Sequence, residues 1–95
     1  MEIIYLDCEF CIKKFTKGIP ELIDIGEQDL EQNILDILPE EDCAVWTENI
    51  KKAKHGERVF RRVKNKGRYL MVEILPNKNN GTISEYIVLV QKIHG

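Results

Sequence analysis

Pro39-Glu40-Glu41-Asp42-Cys43-Ala44-Val45-Trp46-Thr47-Glu48-Asn49-Ile50-Lys51-Lys52-Ala53-Lys54-His55-Gly56 decides the fold, because it reads as one long helix after which the sequence becomes strand-like. Proline suits a first helical turn, where a missing N–H costs nothing. Glu40, Glu41 and Asp42 open the segment, and Lys51, Lys52 and Lys54 close it. Both ends therefore complement the helix dipole, and Gly56 supplies the stop. Cys43, Trp46, Ile50 and Ala53 recur at helical spacing and form the stripe expected to be buried, with Trp46 facing a sheet.

Beyond Gly56 the period changes from helical to strand-like. Glu57 to Val63, Arg68 to Leu75 and Thr82 to Ile93 read as three strands, with turns at Asn65-Lys66-Gly67 and Asn80-Gly81. Asn-Gly suits the two-residue primed turn of an antiparallel hairpin. With 79 opposite 82, residue 70 faces 91, 72 faces 89 and 74 faces 87. Leu70, Val72, Ile74, Ile87, Leu89 and Gln91 then share one face. Tyr69, Met71, Glu73 and Leu75 share the other with Tyr86, Val88, Val90 and Lys92.

Upstream, Ile3-Ile4-Tyr5-Leu6 is one strand, Asp7-Cys8-Glu9-Phe10 a turn, and Cys11 to Phe15 a second strand. Thr16 to Asp24 holds a short helical piece with Pro20 in its first turn. Asp29 reads as the cap of a further helix, with Gln32 three residues on and Leu30, Ile34, Ile37 and Leu38 on one face. Two strands, three short helices and a three-stranded meander make an α+β domain. A five-stranded antiparallel sheet with helices on one face satisfies that order.

That order, at this length, resembles the PAS domain. Asp36-Ile37-Leu38-Pro39-Glu40-Glu41-Asp42 is similar to the family's run into its long helix. Ala53-Lys54-His55-Gly56-Glu57 resembles the Ala-x-x-Gly-Glu that ends it, and Lys66-Gly67-Arg68-Tyr69 the hairpin before the fourth strand. Tyr5-Leu6-Asp7 with Ile12-Lys13-Lys14-Phe15-Thr16 looks most like PAS domains of chemotaxis methylesterase/methyltransferase fusion proteins. The resemblance covers essentially residues 1–95 as a single domain and implies a piece of a longer signalling protein. Many family members end in Asp-Ile-Thr, the hinge to an output helix; Lys92-Ile93-His94 stands there instead.

The chain has 95 residues and a net charge of −2, but the charge is segregated. Residues 1–50 carry 13 acidic and 3 basic side chains, whereas residues 51–68 carry nine Lys and Arg against Glu57 alone. This basic block is the basis of the alternative function, a small nucleic-acid-binding domain. The block reads as lacking an exposed aromatic for base stacking, so nucleic acid is not the expected partner.

Catalysis finds no support in the pattern: the acids sit at helix starts, and the isolated glycines form no phosphate cradle. Cys8-x-x-Cys11 supplies two ligands where structural zinc wants four, and Cys43, His55 and His94 complete a set only if the fold gathers them. The odd cysteine count points to a reducing, cytoplasmic compartment. No apolar run is long enough for a membrane span. The resemblance implies no haem, because His55 lies past the long helix. It implies no thiol–flavin chemistry either, because Gln32-Asn33-Ile34-Leu35-Asp36 lacks the cysteine. No cofactor is expected.

The expected function is a non-catalytic sensory module of a two-component type protein such as a histidine kinase, working by ligand sensing or protein–protein interaction. A ligand pocket is expected among Trp46, Leu70, Val72, Ile74, Ile87, Leu89 and Gln91. The largely apolar opposite face, with Tyr69, Met71, Leu75, Tyr86, Val88 and Val90, is expected to form a homodimer.

Overall fold

The computed structural model describes residues 1–38, 40–65 and 67–93, with the side chains of 40–42 and 65 left aside. The readings that fall on Pro39, on the acidic first turn of the long helix, on Lys66 in the hairpin turn and on His94 lie outside the described residues.

Five strands form one antiparallel sheet in the order β2-β1-β5-β4-β3. They are β1 (Glu2–Asp7), β2 (Ile12–Phe15), β3 (Val59–Asn65), β4 (Arg68–Asn79) and β5 (Thr82–Lys92). Between β2 and β3 run α1 (Ile19–Leu22), a 3-10 turn (Glu27–Asp29), α2 (Ile34–Ile37) and α3 (Glu40–Lys54). The helices cover one face of the sheet. Ile4, Leu6, Ile12, Leu70, Val72 and Ile74 pack from the strands against Ile19, Ile23, Ile34, Trp46, Ile50 and Ala53.

Local chemistry explains each boundary. The α3 terminus is a Schellman motif: Gly56 N–H donates to Ala53 O (2.9 Å) and Glu57 N–H to Lys52 O (3.2 Å). Gly56 holds φ +88, which a residue with a Cβ adopts only under strain. Asn80 and Gly81 both have positive φ, 54 and 81, and Asn79 faces Thr82, so the primed turn forms as the sequence demands. In the β1–β2 turn, Asp7 Oδ1 accepts the N–H groups of Glu9 and Cys11, each at 2.9 Å.

The helix expected from Asp29 is divided, which corrects that reading. Asp29 is the third residue of the 3-10 turn, and its carboxylate accepts Gly26 N–H at 2.9 Å. Glu31 turns to φ 72, and Leu30 faces solvent. The true cap is Asn33, whose Oδ1 accepts Leu35 N–H at 2.9 Å. The break has a cause. Glu31 and Gln32 give their backbone to β2, with Glu31 N–H donating to Ile12 O (2.7 Å) and Ile12 N–H to Gln32 O (3.0 Å).

Candidate functional site

The register of β4 and β5 decides which side chains face the helices. Asn79 pairs with Thr82 and Lys78 with Ile83, but Asn77 pairs with Glu85. Ser84 is therefore an extra residue on β5, a bulge. Its hydroxyl donates to Asn77 O at 3.2 Å, and Asn77 Nδ2 donates to Glu85 Oε1 at 3.0 Å. Beyond the bulge the pairs become Ile74 with Val88, Val72 with Val90 and Leu70 with Lys92.

One inserted residue turns every later β5 side chain to the other face. The sequence-based pocket is corrected accordingly. Trp46, Leu70, Val72 and Ile74 lie in the buried core as expected, but Ile87, Leu89 and Gln91 point to the side away from the helices. The expected dimer face is corrected in the same way. Tyr86, Val88 and Val90 are buried beneath the helices, while Tyr69, Met71 and Leu75 stay on the outer face. Their outer neighbours are Ile87, Leu89 and Gln91, and on β1 Ile3 and Tyr5. Tyr86 stacks on Phe10 with centroids 4.3 Å apart, and burial pushes its phenol pKa up.

Among the described residues the core holds one polar side chain that the sequence reading passed over. Asn49 lies on α3 and is 2% exposed. Among the described residues its amide has no hydrogen-bond partner. It stands three residues after Trp46 and four before Ala53, so it falls within the buried stripe. That spacing was the available signal: an amide among apolar helical neighbours.

The outer face is half-buried and apolar at its centre, with cations at its margins. Lys14 Nζ sits 4.5 Å above the Tyr5 ring, and the Arg62 guanidinium 4.2 Å above Tyr69. Phe60 is 56% exposed, which corrects the expectation that the basic block carries no exposed aromatic. A shallow groove of about 420 Å³ runs between Phe60, Met71, Gln91, Lys92 and Ile93.

The cysteines divide. Cys8 is exposed, whereas the Cys11 thiol is pushed up in pKa by desolvation and by the nearby Asp7, Glu9 and Glu31 carboxylates. A raised pKa disfavours the thiolate that redox and metal chemistry use. Cys43 donates its thiol to Leu35 O and Leu38 O, each at 3.5 Å. Among the described residues no three His, Cys, Asp or Glu side chains are grouped to hold a metal. Nor is any described helix long and apolar enough to cross a membrane.

The sequence matches a family model described as PAS domain over residues 1–94. The chain belongs to the PAS domain family. Solved structures agree on the fold. A sensory box sensor histidine kinase from Vibrio cholerae superposes with TM-score 0.79 at 19% identity, covering 98% of this chain and 82% of that one. The PAS domain of histidine kinase ThkA gives TM-score 0.75 at 21% identity, with 97% and 100% covered. The PAS-B domain of Drosophila melanogaster Cycle, with bound glycerol, gives 0.75 at 20%, with 98% and 100% covered. Among curated proteins none matches this sequence.

Proposed function

We propose that this PAS domain is the sensory and regulatory module of a longer cytoplasmic signal-transduction protein, itself non-catalytic. Residues 1–95 act as one unit whose core receives a small polar ligand between α3 and the sheet. The buried Asn49 amide carries this reading. A buried amide without a partner costs about 1–3 kcal/mol, which a ligand carrying both a donor and an acceptor recovers. Trp46, Leu70, Val72 and Ile74 belong to the same buried core, in which Val88 and Val90 replace Ile87 and Leu89.

β5 is the route outward, because alternate residues of one strand line the ligand wall and the outer face. A shift at Val88 or Val90 moves Ile87 and Leu89 with it. The outer face is proposed to self-associate, and Ile93, whose N–H still donates to Tyr69 O at 3.2 Å, leads toward the output domain. Several fold relatives are parts of histidine kinases, which supports that class of output. The three unpaired cysteines support a reducing compartment.

The test is a thermal-shift screen of small hydroxyl-, amide- and carboxylate-bearing molecules against the wild type and Asn49→Leu. At least one compound is expected to raise the wild-type melting temperature and leave the variant unmoved. Equal shifts in both proteins would remove Asn49 from the site.

A further inference from the structure

The two edges of the sheet are treated differently. The β2 edge is covered by the backbone of residues 31–33. The outer edge of β3, Val59–Asn65, has no backbone partner among the described residues. Its Phe60 carbonyl instead accepts the Arg61 guanidinium, at 3.1 Å. An open edge of seven residues, about 23 Å at 3.3 Å per residue, is a template for another chain.

Chemistry narrows the occupant. Arg61, Arg62 and Lys64 are exposed, and among the described residues none of them pairs with a carboxylate. A second copy of β3 would set arginine and lysine against arginine and lysine, which is repulsive. The acidic half of a second copy offers mainly helices and turns, and its β2 edge is already covered. Single-stranded nucleic acid wants several open rings, and here Arg62 already lies over one face of Tyr69, leaving Phe60 as the freer ring.

We propose that the β3 edge is a docking site for an extended acidic segment of a partner protein, which joins the sheet as a sixth strand. The β3 backbone supplies the ladder, Arg62 and Lys64 on the outer face meet carboxylates, and apolar side chains of the added strand extend the row of Val59 and Val63 on the other face. Alternating acidic and apolar residues fit this edge best, because successive side chains of the added strand face opposite sides.

The probe is a capped, fluorescein-labelled nine-residue peptide of alternating glutamate and valine. Binding to the full chain is followed by anisotropy, and the β3 amides by hydrogen exchange. The expected result is saturable binding that weakens with salt, with added protection confined to alternate amides of Val59–Asn65. Combined Arg62→Glu and Lys64→Glu substitutions, at exposed positions, should weaken binding at least tenfold while circular dichroism stays unchanged. A peptide of the same charge, N-methylated along one edge, should not bind. Equal binding by the methylated peptide, binding without β3 protection, no binding at all, or binding of a single-stranded oligonucleotide in place of the peptide would each overturn the proposal.

Discussion

At the residue scale, neighbouring β5 positions have opposite fates. Val88 is fully buried and Leu89 lies on the half-buried outer face. A carboxylate at 88 enters a low-dielectric core without a partner, which a domain of this size does not tolerate. Val88→Glu is therefore expected to unfold the protein, whereas Leu89→Glu should fold and be soluble. Near-ultraviolet circular dichroism separates the two, and a folded Val88→Glu protein would contradict the register. Trp46, 2% exposed on α3, anchors the same core. Trp46→Ala should cost about 3–5 kcal/mol in chemical denaturation; an unchanged midpoint would contradict the packing.

Glu2 makes a pH prediction at the same scale. Its carboxylate accepts from Thr16 Oγ1 (2.7 Å) and Gly18 N–H (2.9 Å), and these bonds hold its pKa below the ordinary value, Thr16 having the larger effect. A lowered folded-state pKa means that the stabilisation is present above the unfolded value and is lost as pH falls through the folded one. Glu2→Gln should therefore flatten the acid limb of the melting-temperature profile and leave its slope near neutrality unchanged. An acid limb identical to wild type would show that the carboxylate contributes nothing there.

At the element scale, α3 and the Asn80-Gly81 turn were legible because each combines a period with end signals that act locally. Charge at the helix ends, Gly56 and the Asn-Gly pair need no knowledge of distant residues. The Ser84 bulge was not legible. β5 is apolar on both faces, with Tyr86, Val88 and Val90 on one and Ile87 and Leu89 on the other. A slip of one residue therefore leaves no mismatch for alternation to reveal. The division of the Asp29 helix was hidden for another reason: it depends on β2, whose Ile12 lies nineteen residues before Glu31, needing an edge partner. Asn49 was visible in the sequence, but the apolar stripe was read without it. Deleting Ser84, the unpaired residue, should close the bulge while keeping Glu85 opposite Asn77 and Val88 opposite Ile74, so cooperative melting should survive. A Ser84 deletion that loses cooperative melting would show that Ser84 is not the extra residue that sets the faces.

At the scale of the whole molecule, one sheet serves two surfaces. Its inner face belongs to α3 and the proposed ligand, its outer face to the proposed self-association. Sedimentation velocity should show a concentration-dependent dimer for the wild type and a monomer for Leu89→Glu; a wild type that stays monomeric at high concentration would rule out the outer-face contact. The central claim, however, is that the core keeps a polar position open for a ligand, and global stability reports it directly. The measurement is urea unfolding of ligand-free wild type and Asn49→Leu. Helix propensity favours leucine by at most about 0.7 kcal/mol. Removing an unpartnered buried amide should add to that, so the variant is expected to be more stable by about 1–3 kcal/mol. A variant less stable than the wild type would mean that the amide is already satisfied within the fold, and would contradict the account.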